Sequence, residues 1–484
     1  MSRDALAARL ERLSAQERAL LAKRLVGRRA GAELSIPRRD RDTSVPMSFA
    51  QWRLWFLEQL RPGTNAWNTP VAARIDGPLD VEVLSRSLQC LIDRHATLRT
   101  VCVAPGGKPR PVVLEPERAR ILLAVHEAPE ASDASVGELV QEEVLRPFDL
   151  ERDLMLRARL IRLRPSEHVL VLVAHHISCD GWSKGLLLEE LAHVYEHLVA
   201  GVEPQLPPLP IEYADYAVWQ RSRLSGEYLD ALVAYWRSCL AGAPLSLELP
   251  GAHPRPRRQA FRGAVRRVHI PAELVERALE LGRTWRATPF MTMLAAFEAL
   301  LHAHSGQDDI LVGSPAAMRT HPELEPIVGC FANTLVYRTS LAGGPGFREL
   351  VSRVRDAALG VYAHQELPFE KIVEAVAPPR DPSRNPLVQV NFRLEREEPA
   401  LRLAGTRCRP IEFDPGIARF DLALELAPQH GSFGGYLEYD AALFAPGTAQ
   451  TFASDYVRIL AALVASPDER LVDLEPVREI RARA

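Results

Sequence analysis

Apolar and polar positions predict helices and strands that alternate along most of the chain. Residues 48–60 carry an aromatic-rich amphipathic pattern behind a capping box of Ser48 and Gln51, which predicts a helix. Residues 71–76 alternate as a strand does, and residues 80–103 predict a long helix, a turn and a strand. This alternation indicates a mixed α/β fold.

The second half continues the same alternation without visible sequence repetition. Residues 289–304 predict a helix, because Thr288 is a good N-cap and Pro289 is favourable at the first helical position. Residues 310–319 then predict a strand that ends at Arg319.

Two stretches indicate how the chain divides. Residues 4–26 have apolar positions at helical spacing, interrupted at a capping box that begins at Ser14, so we expect a helical hairpin and a polar linker over residues 1–44. This unit either packs on the body or connects to an upstream protein.

A proline-rich stretch before an aromatic helix is typical of a crossing between lobes, and we expect the lobes to be residues 45–222 and 223–484.

The stretch VAHHISCDGWS, residues 173–183, combines a buried strand with a glycine turn and a helix. Residues 168–178 are apolar and β-branched and predict a strand that ends at the histidines, and a helix runs from Trp182 to about His197. Adjacent side chains on a strand point to opposite faces, which disfavours one metal ion held between His175 and His176. We therefore expect one imidazole to face a cavity while the other packs and supports the turn.

The turn itself offers three further candidates. Asp180 has either a capping or a functional role, and Gly181 lets a substrate approach the backbone, whose N–H is suited to a developing oxyanion. Cys179 raises the alternative of a Cys–His nucleophile, but nothing in the sequence marks a stabilised thiolate.

Composition excludes several classes of function. The 484 residues are 47% hydrophobic with a formal net charge of -3, enough apolar content for two cores and no basis for binding nucleic acid or an anionic membrane. The six cysteines are far apart, which fits a reducing cytoplasm and gives no disulfide framework or zinc site. We find no apolar run long enough for a membrane span and no signal peptide.

HHISCDGWS closely resembles the HHxxxDG signature of condensation domains in nonribosomal peptide synthetases. Chloramphenicol acetyltransferase and the wax-ester synthases carry a similar signature, but further stretches resemble other core motifs of the condensation domain, in family order. They are SFAQWRLWFL (first), RHATLRT (second), YADYAVWQ (fourth), IVGCFANTLVYR (fifth), HQELPFEKIVE (sixth) and RDPSRNPLVQV (seventh). Cys179 and Ala332 depart from the usual pattern, which leaves substrate detail open.

This resemblance implies two chloramphenicol acetyltransferase-like lobes in a V-shaped pseudodimer with a central tunnel. It implies amide-bond formation between a donor acyl or peptidyl thioester and the α-amine of an acceptor aminoacyl thioester. Both substrates would ride on phosphopantetheine arms of peptidyl carrier proteins that dock at the two tunnel mouths, with an adenylation domain adjacent. The chemistry needs no metal and no cofactor bound by this chain.

The resemblance also assigns roles to residues. It makes His176 the imidazole that faces the reaction, with Gly181 beside it. It gives His175, Asp180 and Arg319 the support of the site, with an ion pair between Asp180 and Arg319. The first and fifth motifs resemble domains that join two L-configured residues.

Other functions remain as alternatives. One is a free-standing acyltransferase that uses a coenzyme A thioester, and another is an idle scaffold that only recruits carriers or tailoring enzymes. The sequence lacks the glutamate-glycine-histidine-glycine string that epimerisation domains use, and heterocyclisation domains replace the histidines with aspartates.

Overall fold

A computed structural model describes residues 35–40, 43–129, 131–251, 253–395, 400–414 and 416–483. The helical hairpin expected over residues 4–26 lies outside these ranges and stays a prediction. Within the expected linker, Arg38 lies on the proline-rich stretch, where its Nε donates to the carbonyl oxygen of Pro210 (2.8 Å) and its Nη2 to that of Leu209 (2.9 Å).

The first half of the described chain forms a five-stranded sheet covered by helices. Its strand order is β11 (Arg407–Pro410, from the second half), β1 (Asn68–Asp76), β6 (Glu167–His175), β5 (Leu156–Arg164) and β4 (Leu123–Glu127), so β6 is central. In chain order the elements are α1 (Phe49–Leu60), β1 (Asn68–Asp76), α2 (Val81–Arg94), β2 (Thr100–Val103), β3 (Arg110–Val113), β4 (Leu123–Glu127), α3 (Asp133–Leu145), β5 (Leu156–Arg164), β6 (Glu167–His175), α4 (Gly181–Val199) and α5 (Tyr213–Arg223).

The second half forms a six-stranded sheet with the order β7-β13-β12-β10-β8-β9. In chain order its elements are α6 (Gly226–Cys239), β7 (Gly263–Ile270), α7 (Ala272–Thr284), α8 (Pro289–Ser305), β8 (Asp309–Ala316), β9 (Asn333–Ser340), α9 (Phe347–Ala363), α10 (Phe369–Val376), β10 (Val390–Leu394), β11 (Arg407–Pro410), β12 (Leu422–Gln429), β13 (Ser432–Asp440), α11 (Pro446–Ala465) and α12 (Glu475–Arg483).

Strand β11 links the two halves. It lies far along the chain, yet it pairs antiparallel with β1 at the edge of the first sheet, from Ala73 opposite Pro410 to Asp76 opposite Arg407. The second half therefore supplies a strand to the first sheet. Both sheets contain parallel and antiparallel pairs, and the predicted mixed α/β class is confirmed.

The central strand β6 is buried on both faces from His168 to His175. Its side chains alternate between two cores, as a pleated strand requires. Leu170 and Leu172 join the core under α2 and α4, whereas Val171 and Val173 join the core under α3. This alternation fixes the face from which His175 leaves the strand.

Most local predictions agree with the structure. Helix α1 has the capping box of Ser48 and Gln51, and Thr288 caps α8 through the N–H of Met291 (3.3 Å). The strand predicted for residues 310–319 is wrong at its end, because β8 stops at Ala316 and Arg319 follows it in a loop. Across the described ranges, no helix combines the length and the apolar character that a bilayer crossing requires.

Helix α8 is buried on nearly every face and carries a carboxyl group into the second core. Glu298 is 0% exposed, and its Oε1 accepts a hydrogen bond from the Thr339 hydroxyl (3.0 Å), whereas its Oε2 has no partner among the described residues. Burial raises the pKa of Glu298 to about 8, so this carboxyl is protonated at neutral pH.

We predict that the variant Glu298→Gln gains stability relative to the unsubstituted protein as the pH rises. The unfolded chain releases the Glu298 proton at its ordinary pKa, whereas the folded chain holds it up to about 8, so this group destabilises the fold progressively in that window. The free energy of unfolding of Glu298→Gln, relative to that of the unsubstituted protein, should rise by up to about 4 kcal/mol between about pH 5 and pH 8. Urea denaturation across that range measures it.

The exposed Glu349, which pairs with Arg353, provides the matched control. Glu349→Gln should leave the pH dependence unchanged. If Glu298→Gln changed the free energy of unfolding by the same amount at pH 5 and at pH 8, Glu298 would not be a buried, protonated carboxyl.

Candidate active site

His175 ends β6 and packs inside the first half of the chain. It is 1% exposed, its Nδ1 accepts a hydrogen bond from the N–H of Ile177 (3.2 Å), and its ring meets the edge of Phe148 at a centroid distance of 5.5 Å. Burial lowers the pKa of His175 to about 3, with a smaller contribution from His176. His175 is therefore a neutral group that holds the strand end in shape.

His176 follows β6 and differs from its neighbour in exposure, since it is only half-buried. The backbone N–H of His176 donates to the carbonyl oxygen of Trp67 (2.8 Å). The ring Nδ1 lies 3.0 Å from the carbonyl oxygen of Cys179. A carbonyl oxygen only accepts, so Nδ1 carries the proton and Nε2 keeps its lone pair. The pKa of His176 is lowered to about 4, mainly by burial and to a smaller extent by the positive charge of Arg419.

The turn after His176 ends in the N-terminus of helix α4. Asp180 caps this helix by accepting a hydrogen bond from the N–H of Ser183 (2.9 Å), which confirms the capping interpretation. Gly181 is the first helical residue and is exposed, and a Cβ at this position would meet nothing within 4 Å. The Cβ position of Gly181 thus faces open space, at a helix end whose first amides lack intrahelical acceptors.

Asp180 also binds the second half of the chain. Its Oδ1 lies 3.2 Å from Arg319 Nη2, and its Oδ2 accepts from the N–H of Phe331 (3.0 Å). The Ser183 hydroxyl lies 2.8 Å from the same Arg319 Nη2. Both charged side chains are nearly enclosed, at 2% and 3% exposure. The ion pair that the resemblance implied is present, with Arg319 in the loop after β8.

The segment that Arg319 holds, residues 324–332, is here called the junction segment. Arg319 Nη1 donates to the carbonyl oxygens of Leu324 and Ile327. Its guanidinium lies over the Phe331 ring at 3.9 Å from the centroid, a cation–π contact. Gly329 is required here because a Cβ would lie 2.1 Å from a ring carbon of Tyr213.

Several groups of the first half also bind the junction segment. The Tyr213 hydroxyl donates to the carbonyl oxygen of Cys330 (2.5 Å), and Thr97 donates to that of Val328 (2.9 Å). The Trp182 indole donates to the carbonyl oxygen of Glu325 (3.0 Å). The turn from His176 to Asp180, here called the histidine turn, is therefore fixed against the second half of the chain at several points.

The two thiols near the imidazole are poor nucleophiles. Cys179 and Cys330 are both buried, and Cys330 Sγ lies 4.0 Å from His176 Nδ1. Burial raises the pKa of Cys330 to about 12 and that of Cys179 still higher. A thiolate is not favoured at either position, which disfavours the Cys–His alternative.

A shallow cleft opens between α1, α5 and α10, and Arg53, Phe331 and Ala332 are among the residues that line it. His176 is not among the residues that line this cleft.

Arg419 is a residue of this site that the sequence analysis missed. It lies between β11 and β12, and its Nε donates to the carbonyl oxygen of Ala66 (2.8 Å) while its guanidinium lies 5.1 Å from the Trp67 ring centroid. The Trp67 ring in turn lies 6.5 Å from the His176 ring. Arg419 belongs to none of the recognised motifs, and its only local signal is an arginine among apolar neighbours in GIARF.

Comparison with protein families gives one match across most of the chain. The family model of the condensation domain matches residues 41–483. A component of the linear gramicidin synthase of Brevibacillus parabrevis is 43% identical over 447 residues, covering 91% of this chain. Phosphinothricin tripeptide synthetase PhsC of Streptomyces viridochromogenes is 40% identical over 475 residues, covering 96% of this chain. The chain spans only 6% of the first relative and 44% of the second.

Solved structures share the fold. The X-domain from teicoplanin biosynthesis superposes with a TM-score of 0.84 at 29% identity, covering 91% of this chain and 99% of that one. The first condensation domain of the CDA synthetase has a TM-score of 0.76 at 22% identity, covering 90% of this chain and 99% of that one, a likeness that concerns the fold alone.

We predict that Asp180→Asn destabilises the protein by about 3 to 5 kcal/mol, because it leaves the buried Arg319 charge unpaired. Adding Arg319→Met should recover part of the loss, so that the double variant is more stable than the sum of the single effects implies. Urea denaturation of the four proteins of this cycle measures the coupling.

The exposed pair of Arg348 and Asp468 is the control, and Asp468→Asn should cost less than about 1 kcal/mol. Additive losses for Asp180→Asn and Arg319→Met would refute the assigned coupling.

Proposed function

The chain belongs to the condensation-domain family of nonribosomal peptide synthetases, and we propose that His176 is the group at which it forms an amide bond between two carrier-bound substrates. The acceptor nitrogen bonds to the carbonyl carbon of the donor thioester, and the carbon–sulfur bond breaks. The amine loses one proton, and the donor phosphopantetheine leaves as a thiol. The observation that carries this assignment is the half-buried, neutral imidazole, whose Nε2 has no hydrogen-bond partner among the described residues.

His176 acts mainly by positioning the amine. Its Nε2 lone pair accepts a hydrogen bond from the acceptor N–H, since Nδ1–H is already bound to the Cys179 carbonyl oxygen. The pKa of the imidazole, about 4, lies roughly 4 units below that of an α-amine, so moving a proton from ammonium to His176 costs on the order of 5 kcal/mol in the free protein. Holding two reactants in attack geometry contributes about 7 to 11 kcal/mol, which exceeds the usual gain from a general base.

The remaining site residues support this arrangement. Gly181 leaves its backbone open, and its N–H at the start of α4 is suited to the carbonyl oxygen as negative charge develops there. Asp180 and Arg319 hold the turn to the junction segment, and His175 packs the strand end. These roles are those of positioning groups.

The wider setting is part of the same proposal. Residues 45–222 and 223–484 form two lobes in a V, with β11 of the second half completing the first sheet. Carrier proteins dock at the opposite mouths of a central tunnel, and an adenylation domain is adjacent. The reaction uses no cofactor bound by this chain, because the thioester already stores the energy. All six cysteines are free, which supports a cytoplasmic setting. Both joined residues are L-configured, which a panel of loaded L- and D-donor carriers tests.

Two other functions make different predictions. A free-standing acyltransferase would turn over soluble coenzyme A thioesters without any carrier protein. An idle scaffold would bind loaded carriers and form no product. The preserved network around His176, Asp180 and Arg319 favours the catalytic function.

Replacing His176 by alanine should abolish positioning of the amine and lower the rate of dipeptidyl-carrier formation at least about 100-fold. Intact-mass spectrometry of the acceptor carrier in a single turnover measures the rate. His126, an exposed residue of β4, provides the matched control, and His126→Ala should be as active as the unsubstituted protein.

If His176→Ala formed product at the unsubstituted rate while remaining folded, His176 would not be the reaction centre. If the unsubstituted protein formed no product from any loaded carrier pair, the amide-forming function itself would be refuted.

We also predict that the pH profile follows the acceptor amine rather than His176. His176 is neutral well above pH 4, so single-turnover rates should rise with pH as the α-amine, with a pKa of about 7.7 to 8.0, loses its proton. An acceptor whose amine has a lower pKa should shift the rise to lower pH by the same amount. A rise that stays in place when the acceptor changes would indicate a titrating protein group instead.

A further inference from the structure

Arg419 brings a positive charge from the second half of the chain to the histidine turn of the first. Its Nε is bound to the carbonyl oxygen of Ala66, while the carbonyl oxygen of the next residue, Trp67, accepts the His176 N–H, and the Trp67 ring lies near both side chains. A two-residue segment thus fixes the guanidinium relative to the imidazole. Among the charged groups, Arg419 has the largest effect on the pKa of His176.

The outer nitrogens of this guanidinium are free to bind a ligand. Arg419 is half-buried, and the residues that the structure describes give its two Nη groups no hydrogen-bond partner. Glu438 is the acid with the largest electrostatic effect on Arg419. It accepts from the backbone N–H of Arg419 (3.4 Å) and forms no ion pair with the guanidinium within 4.0 Å. A half-buried arginine normally binds a carboxylate or phosphate, so unused Nη donors on a side chain that shares the Ala66–Trp67 segment with His176 indicate an oxygen-bearing ligand.

The expected chemistry of the site supplies such an oxygen. When the amine attacks the thioester, the carbonyl oxygen gains negative charge, and donors fixed in place beforehand stabilise that charge most effectively. An α-amine is repelled by a guanidinium in its charged form and carries no negative charge when neutral. The carbonyl oxygen is therefore the better ligand for Arg419.

We propose that Arg419 is a further catalytic residue, whose Nη groups hydrogen-bond the donor carbonyl oxygen and stabilise the oxyanion of the tetrahedral intermediate. This inference rests on the proposed function. It gives the oxyanion one donor from each half of the chain, the Gly181 N–H from the first and Arg419 from the second. His176 binds the nitrogen and Arg419 binds the oxygen of the same reacting pair.

The first test is a single-turnover assay of dipeptidyl-carrier formation. Arg419→Met keeps the length of the side chain and removes its charge, and it should lower the rate about 100-fold or more. Arg419→Lys should retain part of the rate, and millimolar guanidinium should raise the rate of Arg419→Gly several-fold. Arg348→Met, which removes an exposed ion pair with Asp468, is the control and should have the unsubstituted rate.

A structural role for Arg419, through Ala66 and Trp67, makes a different prediction. Arg419→Met would then lose thermal stability and affinity for all ligands together, and guanidinium would restore no activity to Arg419→Gly. An Arg419→Met variant with an unsubstituted rate, or an Arg419→Gly variant whose lost rate guanidinium does not restore, overturns the inference while leaving the function of His176 standing.

A second measurement does not need turnover. Isothermal titration with a phosphonate analogue of the tetrahedral intermediate should show affinity weakened at least about 10-fold by Arg419→Met, while the planar amide product binds as before. Equal losses for both ligands would assign Arg419 to general binding. This comparison holds even if the carrier pair chosen gives no product, so the inference and the proposed function fail separately.

Discussion

The buried ion pair between Asp180 and Arg319 is the constraint on which the site depends. Isolated charges are costly to bury, and here the cost is offset because Asp180 accepts from two backbone N–H groups while Arg319 donates to two carbonyl oxygens and a hydroxyl. Asp180 begins α4 and Arg319 belongs to the second half, so the pair fixes the helix start against the junction segment. His176 lies four residues before Asp180, and the Cys179 carbonyl that orients it belongs to the same turn.

The electrostatics of the site favour an imidazole that positions the amine over one that accepts its proton. Burial and the charges of Arg419 and Arg53 lower the pKa of His176, against a smaller opposing effect from Asp180. The positive charges of Arg419 and Arg53 disfavour an imidazolium and favour a negative oxygen. Burial, the largest cause of the low pKa of His176, disfavours both charged forms, so the fixed positive charges are what suit an oxyanion here. The field present therefore fits an imidazole that orients a neutral amine.

Short sequence patterns predicted those features of the structure that depend on neighbouring residues along the chain. The capping box of Ser48 and Gln51 placed α1, and Thr288 with Pro289 placed α8. The period-two alternation of β6 predicted that one imidazole packs and the other faces a cavity, and in the structure His175 is buried while His176 is half-buried. Arg319 was misplaced within a strand because nothing in its own stretch marks the end of β8. Arg419 and Ser183 were missed because their roles come from partners more than a hundred residues away, and no spacing along the chain encodes such contacts.

Cohesion of the two halves and geometry of the site depend on the same contacts. Strand β11 pairs with β1, the junction segment binds the histidine turn, and Arg419 binds the segment that also holds His176. A shift of one half against the other would therefore separate Asp180 from Arg319 and Arg419 from Ala66 together. Reaction rates fall steeply when reacting atoms are displaced by about 1 Å. Substitutions that loosen these contacts should consequently slow the reaction even where they lie far from the imidazole. The site residues keep their relative positions only while the two halves remain in contact.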